Sequence, residues 1–352
     1  MIRLIRIIII FCSLNSFSQT LNLNNPVFEN NLRRAQLNGD IDSTISFTLR
    51  PLEINNYNIS NVVFNKDKYS PTILSFLNGN GKLKILPIDF NINYSSHHPY
   101  NRNNGSMITS RGVQQLISAG FYFELGPLSV QFKPENIYAE NKNYEGFWEG
   151  HYDVIWSRRY LLWNRIDTPE RFGESAYKKT TFGQSSVRLN FKSISLGISS
   201  ENIWWGPSIR NGIMMSNNAQ GFNHITLNSR RPIKSFIGNF EFQLVTGRLE
   251  PSGYNPPSTD RTFAGTKLFV PKINQVGYGQ QNDWRFFQGY SITYSPKWIS
   301  GLHLGLNRWT QMYGAMFEGK YYWIADDNSG ASVGWFPIFN NFLRKNDKVE
   351  PF

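Results

Sequence analysis

The chain has 352 residues, a formal net charge of +11, a mean hydropathy of −0.40 and an aromatic content of 15%. Its single cysteine is Cys12, so neither a disulfide framework nor a thiolate metal site is possible in the rest of the chain. The basic residues are scattered among polar and aromatic ones rather than clustered, which argues against a nucleic-acid partner.

The first residues, MIRLIRIIIIFCSLNSFSQT, predict a secretory signal peptide that is cleaved after residues 1–18. Arg3 and Arg6 make a basic start, and the apolar run 7–12 is far shorter than the ~20 residues that span a bilayer, which disfavours a membrane anchor. Cleavage would leave 34 basic and 25 acidic residues, a net charge of +9. This charge favours acidic partners such as anionic glycans or lipid headgroups.

The remaining chain is predicted to form one domain with an extension at its N-terminus. Residues 19–80 are less regular and are expected to be a periplasmic extension with the first strands. Within them, NPVFENNLRRAQLNGDI (25–41) suits a helix outside the wall that the later strands form. No repeat or linker divides residues 81–352, which we assign to that wall.

Alternation of apolar and polar residues with period two predicts strands throughout the wall. In KILPIDFNINY (84–94), apolar residues from Leu86 to Tyr94 share one face, while Asp89 and Asn91 share the other. A break at 192–193 divides one long alternating stretch into two runs. Further strands are predicted in residues 116–125, 128–134, 186–199, 236–247, 290–295 and 302–309.

Strands of this kind need an apolar environment on one side and a polar one on the other. In an outer-membrane barrel these are lipid and lumen, although a secreted β-sandwich or propeller shares part of the pattern. The tight Gly126-Pro127 connection contrasts with the long polar links 140–156 and 250–265. Short turns at one end and long loops at the other are typical of bacterial barrels, so we predict an all-β, transmembrane antiparallel outer-membrane β-barrel.

Catalytic and metal-binding constellations are weak. The chain has no nucleophile elbow, no phosphate-binding loop and no His-x-x-x-His spacing, so no cofactor or metal is predicted. Glu135, Glu145, Glu149 and Glu201 are the best candidates for the paired carboxylates of a glycan-modifying enzyme, but the sequence does not give their separation. We expect a protein that is not an enzyme.

Glycan binding needs aromatic faces to stack on sugar rings, amides to bond hydroxyls and guanidinium groups to pair with carboxylates. The polar connections supply these side chains, and one group lies within eighteen residues. Its members are Trp148, Trp156, Arg158, Arg159, Trp163 and Arg165. For each residue alone, the competing interpretation is an interfacial aromatic belt with snorkelling arginines.

Two long blocks of the sequence resemble the Wzi-type capsule assembly family, particularly its branch common in Bacteroidetes. The first block, 97–147, contains GSMITSRG, the hairpin GPLSVQ and the strand end PENIYAENK. The second, 181–233, contains ENIWWGP, SNNA and RRP. The resemblance covers roughly residues 80–345.

This resemblance implies an outer-membrane barrel, eighteen-stranded in the best-known members, that assembles or attaches capsular polysaccharide and binds it as a lectin. The implied partners are an acidic capsular or other surface polysaccharide, outer-membrane lipid and the barrel assembly machinery. The alternative is a passive channel for sugars or other small solutes. Together with the loop residues, the second block (181–233), which we call the signature, gives these glycan-binding candidates: Trp204, Trp205, Arg210, Asn217, Asn218, Arg230, Trp156, Arg158 and Trp163.

Three details of the resemblance lead to further expectations. Trp204 and Trp205 are adjacent, so in extended backbone we expect one to face the lipid interface and the other the lumen. Ser208 stands where the family has a glycine. The sequence stops at NNFLRKNDKVEPF, where the family continues, and 334 residues suit roughly twelve to sixteen strands. We therefore expect a wall that is incomplete at its C-terminal end.

Overall fold

The computed structural model describes residues 20, 23, 26–53, 70–212, 214–255, 257–268 and 284–314. The predicted signal peptide and the predicted incomplete end of the wall lie outside the described residues, and both stay predictions. The domain boundaries stay predictions as well.

The described residues form two α-helices, α1 (Pro26–Leu37) and α2 (Asp153–Ile166). Helix α1 confirms the helix predicted in residues 25–41, and it ends where Gly39 adopts a φ of 83°, a conformation that glycine tolerates without strain. Helix α2 lies in a region that the sequence indicated as a loop. No helix in the described part of the chain is long and apolar enough to cross a membrane.

Seventeen strands are formed by the described residues. They are β1 (Leu49–Arg50), β2 (Thr72–Phe76), β3 (Gly81–Ser95), β4 (Gly112–Leu125), β5 (Leu128–Phe132), β6 (Glu135–Ala139), β7 (Tyr177–Thr181), β8 (Ser186–Phe191), β9 (Ile194–Ser199), β10 (Trp204–Trp205), β11 (His224–Ser229), β12 (Ile233–Lys234), β13 (Gly238–Leu249), β14 (Thr262–Phe263), β15 (Thr266–Lys267), β16 (Arg285–Pro296) and β17 (Leu304–Tyr313). All the strands predicted from period-two alternation are confirmed, including the break that separates β8 from β9.

One antiparallel sheet contains thirteen of these strands, in the order β17-β16-β13-β11-β9-β8-β5-β4-β3-β2. Strand β6 continues β5 alongside β4, β7 pairs with β6, and β12 pairs with the start of β13. Two small pairs, β1 with β10 and β14 with β15, lie apart from this sheet. The all-β class is confirmed, while closure of the sheet and the number of strands stay predictions.

Burial in the sheet is inverted relative to that of a water-soluble protein. In β8, Ser186, Arg188 and Asn190 are buried, whereas Val187 and Leu189 on the other face are exposed. The same alternation holds in β9, where Ile198 is 64% exposed and its neighbour Ser199 is buried. We call the two sides the polar face and the apolar face. Burying polar groups while exposing aliphatic ones is unfavourable in water but is the pattern of strands surrounded by lipid.

The connections between strands differ at the two ends of the sheet. The turns 126–127, 192–193 and 297–303 join neighbouring strands at what we call the short-connection end. At the opposite, long-connection end, segments such as 96–111 and 140–176 join the strands. This confirms the asymmetry predicted from the sequence.

A bulge in β3 corrects one predicted face. Leu86 was expected beside Ile88 and Phe90 on the apolar face, but it is buried, whereas Ile85 is exposed. The pairing with β4 shifts register between Leu86 and Asp89, on either side of Pro87, which has no N–H to donate to the ladder.

The N-terminal segment contacts the polar face. The backbone N–H of Ser46 donates to Glu241 in β13 at 3.1 Å, and the hydroxyl of Thr48 bonds to that of Thr293 in β16. The expectation that residues 25–41 lie outside the wall stays a prediction, and Ser46 and Thr48, which follow them, lie against the polar face. The side chains on the polar face carry hydrogen-bonding groups. The N-terminal segment therefore forms hydrogen bonds with them that water would otherwise form.

Candidate functional site

A buried ion pair anchors the signature segment to the polar face. Arg188 in β8 donates to Glu201 at 2.7 Å and to Asn228 in β11 at 2.8 Å. Glu201 also accepts hydrogen bonds from the hydroxyls of Thr20 and Ser199. Burial alone would raise the pKa of the Glu201 carboxyl, but Arg188 and the hydroxyl donors outweigh it and hold the pKa below its usual value.

A second buried ion pair fastens the N-terminal segment. Arg230 lies 3.1 Å from the Glu53 carboxylate, and both side chains are almost completely buried. Burial raises the pKa of Glu53, against the opposing effect of Arg230 and Arg188. Arg230, a glycan-binding candidate from the sequence, is therefore occupied by an internal partner near the short-connection end.

The tryptophan pair lies in β10, which pairs with β1 rather than with the large sheet. Trp204 is 4% exposed and lies under the guanidinium of Arg50 at 4.8 Å, while Trp205 is fully buried. Trp205 donates its ring N–H to Gln243 in β13 at 2.8 Å and packs on Phe287 in β16.

The prediction that this pair divides between lipid and lumen is wrong. Its premise was that the pair continues a wall strand, but the chain leaves the wall after β9 and turns onto the polar face. Arg50 holds the bend, since it donates to the carbonyls of Gly206 and Ser208 at 2.6 and 2.7 Å. Burial lowers the pKa of Arg50 to about 10, partly offset by the Glu29 carboxylate at 2.9 Å.

Asparagines join two connections at the long-connection end. The N–H of Asn103 donates to the Asn218 side chain at 2.7 Å, and the Asn103 amide donates to the carbonyl of Arg210 at 2.7 Å. Asn217 is buried and its amide donates back to the Asn103 carbonyl at 3.1 Å. Arg210 and Asn218, by contrast, have exposed side chains. The structure thus brings two of the predicted site residues together and gives Asn217 a structural role.

Helix α2 carries a separate aromatic cluster. Trp156 is fully buried against Phe147, and the Arg261 guanidinium lies 4.4 Å from the Trp156 ring. Arg159 lies 3.9 Å from the Phe147 ring and pairs with Glu170. These contacts fold the long connection 140–176 onto itself.

Comparison with known proteins decides the family. The family model described as capsule assembly protein Wzi matches residues 93–319, well over half of the chain. The chain belongs to the Wzi capsule assembly family. Neither a curated protein nor a solved structure matches it. The sequence-based resemblance is therefore confirmed, and membership implies a capsule assembly protein of the outer membrane.

In this Wzi-family chain, the candidate residues that a glycan can reach are a subset of those predicted. Arg158 and Arg210 are exposed, and neither has a carboxylate partner in the part of the chain that the structure describes. The side chain of Trp163 lies outside the described residues. Trp156, Trp204, Trp205, Asn217 and Arg230 are buried.

Sequence reasoning missed several exposed residues of the same end. Arg102 precedes the Asn103 junction and is exposed without a carboxylate partner among the described residues. Tyr100, Tyr152 and Trp148 are also largely exposed. A usable indication was position: each lies in a long connection, within two residues of a glycine or asparagine, rather than in an alternating run.

The proposed catalytic carboxylates do not converge in an open cleft. Glu135 and Glu201 are both buried, and Glu135 is bonded to Ser106 and to the amide of Gln184. Glu145 and Glu149 are exposed in the connection that precedes α2. No group of three or more metal-binding side chains occurs among the described residues.

Proposed function

We propose that this chain is an outer-membrane β-barrel of capsule assembly that binds capsular polysaccharide as a lectin and performs no catalysis. The inverted burial of the sheet carries the proposal, because exposed Val187, Leu189 and Ile198 require lipid around them. Membership of the Wzi family supports the role in capsule assembly. By the usual orientation of such barrels, the short connections face the periplasm and the long connections face the cell exterior.

The glycan-binding surface that we propose is the long-connection end around the Asn103 junction. Arg102 and Arg210 come from two connections that Asn103 bonds together, and both guanidinium groups are exposed. Asn218 adds an exposed amide in the same place. Paired guanidinium groups favour carboxylates, so we propose an acidic polymer, such as one containing uronic acids.

Binding of defined oligosaccharides tests the lectin role. The purified protein is placed on a glycan array with uronic-acid-containing and neutral capsular fragments. The double variant Arg102→Ala/Arg210→Ala should lose at least about tenfold in affinity for the acidic fragments, since two charge-assisted contacts disappear. Lys297→Gln, an exposed cation in a turn at the short-connection end, is the control and should bind like wild type. Equal binding by all three proteins would contradict this location.

A deletion strain tests the cellular role separately. Cells that lack the protein should release capsular polysaccharide into the medium, and complementation with wild type should restore its retention. Unchanged retention in the deletion strain would remove the capsule-attachment role whatever the array shows.

The rival function is a passive channel for small solutes, which shares the polar face and the basic charge. Against it, segments 45–53 and 200–205 lie on the polar face and bond to side chains that would line a pore. Planar-bilayer recordings separate the two functions. A wide, steady conductance supports the channel, whereas a closed barrel that retains polysaccharide supports the lectin.

A further inference from the structure

The apolar face has a polar inset where β6 and β7 pair. Asn136 and Tyr138 of β6 lie opposite Thr180 and Lys178 of β7. Asn136, Lys178 and Thr180 are all exposed, whereas Ile137, which lies between Asn136 and Tyr138 in β6, is buried on the other side. These residues therefore face outward, on the same side as the exposed aliphatic residues of the wall.

The surroundings of this inset are apolar. Asn136 lies directly opposite Ile117 of β4, and Phe121, further along β4, forms an exposed ring pair with Phe132 of β5. Phe182, which follows β7, is also exposed. The Lys178 ammonium, the Asn136 amide and the Thr180 hydroxyl thus border an apolar surface that suits the acyl chains of a lipid.

The polar groups are arranged as donors. The Asn136 amide donates to the Thr180 hydroxyl oxygen at 2.9 Å, which leaves the hydroxyl proton of Thr180 directed elsewhere. The Lys178 ammonium lies 5.9 Å from the Tyr138 ring and has no carboxylate partner in the part of the chain that the structure describes. An ammonium and a hydroxyl donor that face outward together match a phosphate group.

We propose that this inset, defined as Asn136, Tyr138, Lys178 and Thr180, binds the phosphorylated headgroup of a membrane lipid. The inset lies toward the long-connection end, since β6 ends and β7 begins there. The ammonium of Lys178 pairs with the lipid phosphate, and the hydroxyl of Thr180 donates to a second phosphate oxygen. The acyl chains of the same lipid cover Ile117, Phe121 and Phe132. Because Lys178 borders an exposed apolar surface, the ligand is expected to carry acyl chains as well as phosphate, which favours a lipid over a phosphorylated polymer.

Native mass spectrometry of the full chain in detergent tests this site. The probe is diphosphorylated lipid A, with dephosphorylated lipid A as its matched comparison. Wild type should retain the phosphorylated form, and Lys178→Gln/Thr180→Val should bind it about tenfold more weakly, as expected for loss of a charge-assisted hydrogen bond. Lys234→Gln removes an exposed cation near the short-connection end and should bind like wild type.

Three results would overturn the proposal. Equal retention by wild type and the double variant would show that Lys178 merely extends to the interface. Equal binding of the dephosphorylated lipid would show that phosphate is not recognised. Displacement of the lipid by inorganic phosphate at matched millimolar concentration would indicate a site for the free ion. The glycan-array result is independent of all three, because Arg102 and Arg210 lie in connections and the inset lies in strands β6 and β7.

Discussion

Replacing Glu201 by glutamine should destabilise the protein strongly, because it leaves Arg188 charged in a buried site. The two side chains are 1% and 4% exposed, and their closest atoms are 2.7 Å apart. Removing one partner of a buried pair costs about 3–5 kcal/mol. We expect a value near the lower end, because Arg188 keeps Asn228 as an acceptor and glutamine keeps the shape of the glutamate. The double variant Arg188→Met/Glu201→Gln should cost less than the sum of the single changes.

Urea unfolding of the refolded protein in phosphatidylcholine vesicles, followed by tryptophan fluorescence, measures these differences. Glu250→Gln breaks an exposed pair with Arg248 and should leave the unfolding midpoint unchanged. A loss below about 1 kcal/mol for Glu201→Gln, or strict additivity with Arg188→Met, would refute the argument from burial.

The same pair predicts a pH dependence. The folded-state pKa of Glu201 is lowered, so its stabilisation is fully present above the usual carboxyl pKa of 4.5 and is lost as the pH falls below that value. Glu53 has the opposite sign, because its folded-state pKa is raised and its contribution declines as the pH rises above 4.5. The Glu53 contribution is common to wild type and Glu201→Gln. The difference in their free energies of unfolding should therefore shrink as the pH falls below 4.5. A difference that is independent of pH from 7 to 3 would contradict this assignment.

Three further changes test other parts of the fold. Trp205→Ala should lower the free energy of unfolding by about 3–5 kcal/mol in the urea assay because it empties a fully buried site, and a loss under about 1 kcal/mol would contradict its packing role. Leu196→Arg, on the exposed apolar face of β9, should cost about 2–4 kcal/mol of stability in vesicles if lipid surrounds it, whereas Ala219→Arg in an exposed connection should be tolerated. Arg159→Ala removes the contacts with Phe147 and should raise hydrogen exchange within α2, and unchanged exchange would count against a stabilising role.

The strands were predictable from the sequence because alternation with period two is a local property. Once one face is apolar and the other polar, the register of β8 and β9 is set by Val187 and Ile198 without reference to distant residues. The same reasoning failed at Leu86, since a bulge next to a proline shifts every side chain before it to the other face. Helix α2 was missed because the contacts of Trp156 that support it come from Phe147 and from Arg261, far along the chain.

The glycan-binding candidates were harder to predict. Residue type indicated that tryptophan, asparagine and arginine are suitable for sugars, but burial decides which of them a sugar can reach. Trp205 and Asn217 have suitable chemistry and are buried, whereas Arg210 and Asn218 are exposed within the same signature. Their difference arises from the turn of the chain onto the polar face, which depends on Arg50. That arginine lies more than 150 positions earlier in the sequence.

The N-terminal segment has a consequence for how the molecule assembles. Ser46 and Thr48 bond to groups that follow them by 195 and 245 positions, on β13 and β16. Residues 46–48 are made before their partners and therefore pair with them only after most of the wall exists. Contacts between such distant residues slow folding, because a long loop must close before they form. Docking of this segment should therefore be a late and slow step of folding, after the strands of the sheet have paired.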